Sequence, residues 1–96
     1  DLICYEVDFP FVIGCKRRKV GTTFSMDWWE QVIAASKVCN KLPVLIYQLN
    51  RSPIRCVVDL NMIIETFGGE KLGHVNLVEI PLETFCTICR EKLHEE

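Results

Sequence analysis

The sequence has no apolar run long enough to cross a membrane. Stretches such as Phe11–Ile13 and Val44–Tyr47 fall far short of the ~20 residues that a spanning helix needs. The opening Asp1-Leu2-Ile3-Cys4-Tyr5-Glu6 lacks the basic start and long apolar middle of a secretory signal, so a cytoplasmic protein is expected. There is no glycine-rich phosphate loop, because Gly68-Gly69 is not followed by the lysine and hydroxyl residue that such a loop requires. There is no serine-nucleophile motif either. Cys86-x-x-Cys89 has no second cysteine pair to complete a four-ligand zinc site, which favours packing on a helix over metal binding. A basic excess is also missing: the net charge of −2 argues against indiscriminate attraction to nucleic acid.

What is present suits one folded domain. Ninety-six residues bury one core and leave no room for a second. A hydrophobic share of 49% is too high for a disordered chain. Without a secretory signal the cysteines are expected mostly as thiols, with Cys4, Cys15, Cys39 and Cys56 acting as small hydrophobes in apolar segments. Charge is unevenly spread: Lys16-Arg17-Arg18-Lys19 is a block of positive charge, whereas Glu91, Glu95 and Glu96 sit at the far end.

Local pattern predicts the element order β-β-α-β-β-α-β-α. Leu2 to Tyr5 and Phe11 to Lys16 read as a strand hairpin around Pro10. Ser25 or Asp27 caps a helix that runs to Cys39, with Trp28, Val32, Ala35 and Cys39 at helical spacing on its inward face. One of Trp28 and Trp29 is expected in the core and the other half-exposed. Pro43 closes the linker after that helix, and Val44 to Gln48 follows as a buried strand. Asn50-Arg51-Ser52-Pro53 has turn chemistry before a returning strand from Ile54 to Val58. Asp59 caps a short helix that ends at Gly68-Gly69, and Val75 to Ile80 forms the last strand. Pro81 sits where a first-turn helix residue would, and Leu82, Phe85, Cys89 and Leu93 form an apolar helical stripe that Cys86 joins. His74 is expected at the surface. The fold class is therefore α/β, a mixed central β-sheet flanked by helices.

One constellation carries chemistry. Side chains alternate along a strand, so Gly14 and Lys16 share one face of the second strand and Ile13 and Cys15 the other. Antiparallel pairing of the first strand brings Asp1 toward positions 14 and 16. A carboxylate there holds Mg²⁺ or Mn²⁺, the Cys15 carbonyl adds a ligand, and Lys16 steadies a water or a phosphate.

An aspartate opening one strand and an x-Cys-Lys in the next, within Phe11-Val12-Ile13-Gly14-Cys15-Lys16-Arg17-Arg18-Lys19, resembles the PD-(D/E)XK nucleases. Among them it is similar to the archaeal and phage Holliday-junction resolvases. The helix opening near Trp28-Trp29-Glu30-Gln31 resembles the helix that follows in many members, with Gln31 where some carry an active-site glutamine. The resemblance covers roughly residues 1–58. It implies a restriction-endonuclease-like core, a metal-dependent DNA endonuclease, and Asp1, Lys16 and Gln31 as catalytic residues, with metal at Asp1 and Cys15. It also implies DNA contacts from Lys16, Arg17, Arg18, Lys19, Arg51 and Arg55, a branched DNA substrate, a homodimer, and a prokaryotic or phage-infected cytoplasm.

Two departures matter. The acid expected before Cys15-Lys16 is Gly14, which has no side chain to offer a cation. The helix and strand that precede the aspartate in the family core are not represented, as in a piece truncated at its N-terminus. The alternatives are a non-catalytic DNA-binding or assembly module on the same fold, and a protein-interaction domain with no nucleic-acid partner.

Overall fold

The computed structural model describes residues 2–3 and 9–93. The order of elements is the one the local patterns predict: β1 (Leu2–Ile3), β2 (Phe11–Arg18), α1 (Met26–Cys39), β3 (Leu42–Leu49), β4 (Arg55–Asp59), α2 (Leu60–Thr66), β5 (Leu77–Pro81) and α3 (Leu82–Leu93). The strands form one sheet in the order β1-β2-β3-β4-β5. Only the β2–β3 pair is parallel, with α1 as its crossover; the other described pairs are antiparallel. A parallel pair needs such a crossover because its ends lie at opposite edges of the sheet.

Each helix follows from its termini. Ser25 is the N-cap of α1, its hydroxyl accepting the Asp27 N–H at 3.1 Å, so the cap falls on Ser25 and not on Asp27. Asp27 in the first turn and Lys37 in the last complement the helix dipole. The helix stops at Asn40, which takes left-handed geometry (φ 56°, ψ 48°), a conformation that asparagine tolerates better than most residues. Asp59 caps α2 by accepting the Asn61 N–H at 3.1 Å, and the same Oδ1 accepts the Asn76 N–H at 3.1 Å. One carboxylate thus starts a helix and ties down the segment entering β5. Asp59→Ala should cost about 2 kcal/mol, the upper end for a lost cap, measured as a lowered urea midpoint with unchanged slope.

Strand ends are set by pairing more than by propensity. β2 runs through Arg17 and Arg18 because β3 continues opposite them, to Gln48 and Leu49, and Asn50 N–H donates to the Arg18 carbonyl at 2.6 Å. Pro43 lies inside β3 and not before it. The pairing with β4 spans Leu45 to Tyr47, so the missing N–H of Pro43 leaves no gap on that side.

The sheet has a core on each face. Val12, Leu45, Tyr47 and Val57 pack against Trp28, Trp29 and Val32 of α1. Phe11, Val44, Cys56 and Val58 pack against Met62 of α2 and Phe85 and Ile88 of α3. Both tryptophans are core residues, at 8% and 5% exposure, so neither is the half-exposed one expected. Consecutive core positions Trp28 and Trp29 both fit because α1 lies over β2 and β3 and shares a core with Val12, Leu45 and Tyr47. In α3, Phe85 and Ile88 form the buried stripe, Leu82 and Cys89 pack at its margin, and Cys86 is exposed, contrary to its expected place inside. A residue one position after Phe85 is rotated ~100° away from the sheet. His74 is exposed, as expected.

Cysteine chemistry is mixed. Cys15, Cys56, Cys86 and Cys89 carry thiols, whereas Cys39 is disulfide-bonded, which corrects the expectation of a small reduced hydrophobe there. Nearness of a second sulfur is a tertiary property that spacing along the chain does not reveal. Burial, reinforced by the neighbouring thiols Cys86, Cys89 and Cys15, pushes the Cys56 thiol up to about 12 and leaves it inert as a nucleophile. No described helix is long and apolar enough to cross a membrane.

Candidate active site and nucleic-acid interface

The alternation expected along β2 is present. Val12 belongs to the α1 face and Phe11 and Ile13 to the other, so Gly14, Lys16 and Arg18 line up on the α1 side. Gly14 is buried and Lys16 half-buried. Asp1, assigned to metal binding and catalysis by resemblance, lies outside the described residues, as do Cys4, Glu6 and Asp8. Gln31 is on an exposed flank of α1, and the structure gives it no hydrogen bond toward Lys16.

Among the described residues no three His, Cys, Asp or Glu side chains gather into a group able to hold a metal ion. Gly14 offers no side chain and Cys15 only a strand carbonyl, so the described residues do not by themselves complete a divalent-cation site. Glu79 does not replace the missing acid. Gly14 pairs with Leu45, Leu45 with Val57 and Val57 with Glu79, so the two positions lie three strands apart, roughly 14 Å at the usual strand spacing.

Cations are what the fold does bring together. Arg17, Arg18 and Lys19, at the end of β2, meet Asn50 and Arg51, just past the end of β3, around an open recess of about 480 Å³. The parallel register is responsible: Arg18 lies opposite Leu49, so both strands deliver their following residues to the same edge. The Arg18 guanidinium sits 4.7 Å from the centroid of the Trp28 ring, a cation–π stack that holds it in place. Asn50, with φ of 49°, turns the chain sharply out of β3 and places Arg51 beside the recess. Arg17, Arg18, Lys19 and Arg51 are all exposed, so this edge presents four positive charges on a chain whose net charge is −2.

Arg55, expected with the same set, is held elsewhere. Its Nε lies 3.8 Å from Glu79 Oε1, and it lines a separate recess with Tyr47 and Glu79. The Tyr47 hydroxyl donates to Glu79 Oε1 at 2.6 Å, and the Thr23 hydroxyl donates to Oε2 at 3.4 Å. Burial, with the Glu79 carboxylate second, pushes the Tyr47 phenol up to about 12, so it remains a neutral donor. Because the folded value lies above the ordinary 10, this group's contribution to stability is complete below pH 10 and is lost as pH rises toward 12. Urea unfolding across that window should show the loss, and Tyr47→Phe should remove that part of the pH dependence.

Sequence reading did not find this Tyr47–Glu79–Arg55 cluster, nor Asn50 or the stacking role of Trp28. The one available signal was Glu79 itself, a charge inside the apolar run Leu77-Val78-Glu79-Ile80.

No curated protein and no solved structure matches the chain. A family model does match, over residues 1–88, and its description is phage putative PDDEXK endonuclease. The hairpin of β1 and β2, the crossover α1 and the parallel strand β3 form a mixed α/β core consistent with the restriction-endonuclease-like fold. Members of the PD-(D/E)XK group generally use divalent metals and act on DNA. With nearly its whole length matched, this chain belongs to the phage PDDEXK endonuclease family.

Proposed function

We propose that this domain acts on DNA as an endonuclease-type module, gripping the phosphate backbone at the β2–β3 edge, with hydrolysis impaired by Gly14. The observation that carries the reading is the convergence of Arg17, Arg18, Lys19 and Arg51 on one recess directly after Lys16 in β2. In this reading Lys16 meets the scissile phosphate or its attacking water, and the arginines fix the register of the backbone without reading sequence. A divalent ion held there would supply activation of the attacking water and stabilisation of the leaving oxygen. In this reading Asp1 and the Cys15 carbonyl hold that ion, Gln31 assists, and the substrate is branched DNA met by a homodimer in a phage-infected cytoplasm.

Gly14 favours a second reading, a DNA-binding or assembly module that keeps the grip and has lost the cut. Labelled duplex and four-way-junction DNA, incubated with Mg²⁺, Mn²⁺ or EDTA, separates the two. Metal-dependent cleavage supports the enzyme. Salt-sensitive binding with no product supports the module. Absence of binding at low salt defeats both and leaves the protein-interaction domain.

A further inference from the structure

The recess beside the cationic edge has a different chemistry. It measures about 260 Å³, is lined by Thr22, Tyr47, Leu49, Ser52, Pro53, Arg55 and Glu79, and shares the β3–β4 turn with the cationic recess. Leu49 and Pro53 give it apolar surface, while Glu79 and Arg55 give it an acceptor pair and a donor set. Its volume lies below the usual range for drug-sized ligands and is of single-base scale.

The carboxylate is anchored but not exhausted. Oε1 accepts Tyr47 at 2.6 Å with Arg55 Nε at 3.8 Å, and Oε2 accepts Thr23 at 3.4 Å. Arg55 at 3.8 Å is an ion pair beyond hydrogen-bonding distance, so each oxygen accepts one hydrogen bond and, with about two acceptor sites each, has room for one further donor. A ligand that fits must present two adjacent donors to Glu79, an acceptor toward Arg55 and a flat apolar face to Leu49 and Pro53. Among the nucleobases only guanine carries two adjacent donors, N1–H and the 2-amino group, next to an acceptor, O6. In a duplex that edge is already paired.

We propose that this recess receives an unpaired guanine from a DNA strand whose backbone lies in the neighbouring cationic recess. Glu79 accepts N1–H and the 2-amino group, Arg55 donates to O6, and Tyr47 and Thr23 are positioning residues that hold Glu79. The inference rests on the DNA-binding reading and adds to it a preference for single-stranded or extruded guanine, as at a branch or flap. An already unpaired base avoids the cost of leaving a stack.

The test uses fluorescein-labelled thymidine strands that differ at one central position: guanine, hypoxanthine, adenine or an abasic site. Anisotropy titrations of the intact protein should show guanine bound about tenfold or more tighter than adenine or the abasic site, as for a good bidentate pair. Hypoxanthine, which lacks the 2-amino group, should fall between. Glu79→Gln should erase the preference, so that the guanine, adenine and abasic strands bind alike. Should Glu79→Gln fail to fold, Arg55→Gln, whose side chain is 43% exposed, must reduce the preference instead. Equal binding of every strand by the native protein overturns the guanine site while sparing the phosphate grip. No binding of any strand at low salt overturns the guanine site and the DNA reading together.

Discussion

Gly14→Glu is expected to convert the protein from a weak or inactive nuclease into one that cuts DNA only when Mg²⁺ or Mn²⁺ is present. The argument is geometric. Gly14 and Lys16 are on the same face of β2, the acid-x-lysine spacing of the proposed site, in which position 14 has no side chain to offer a cation. A bound cation is worth several kcal/mol to a phosphoryl transition state, and each 1.36 kcal/mol is a factor of ten. Restoring a ligand should therefore raise the rate on the order of 10²-fold or more. Gly14 is buried, so Gly14→Asp provides a shorter carboxylate in case glutamate disturbs the packing. Calorimetric titration with Ca²⁺ reads metal binding independently of cleavage. A folded variant that neither binds metal nor cuts would remove the active-site assignment of β2.

The second large effect concerns the cationic recess. Replacing Arg17, Arg18, Lys19 and Arg51 together by glutamine should flatten the salt dependence of DNA binding. Each phosphate neutralised contributes about 0.9 to the slope of log affinity against log salt on duplex DNA. Four such contacts make roughly 3.6, so a fourfold rise in salt weakens the native complex ~10²-fold and scarcely weakens the variant. Arg55→Gln should change that slope much less, because Arg55 is already partnered by Glu79. If the quadruple variant keeps the native slope, the phosphates lie elsewhere on the surface.

Part of this architecture was legible without coordinates because local physics decides it. The caps Ser25 and Asp59 and the stop after Cys39 announce helix ends through the hydrogen-bonding needs of the helix itself, whereas Pro81, expected in the first turn of α3, is the last residue of β5. Period-two alternation placed Gly14 and Lys16 on one face of β2. The motif residues around Cys15-Lys16 pointed to the family that the full chain then matched. What failed was non-local. The extension of β2 to Arg18 and the entry of Pro43 into β3 depend on a partner strand, and the burial of both tryptophans depends on how α1 packs over β2 and β3.

The same division runs through the candidate site. By itself the sequence determined the order of elements, the α/β class, the basic run after Lys16 and the absence of an acid at position 14, since each is a property of neighbouring residues. Only the tertiary structure decided that Arg51 joins Arg17, Arg18 and Lys19 while Arg55 leaves them for Glu79 and Tyr47. Those meetings are set by the parallel register of β2 and β3 and the antiparallel register of β4 and β5, which bring together residues that no local pattern connects.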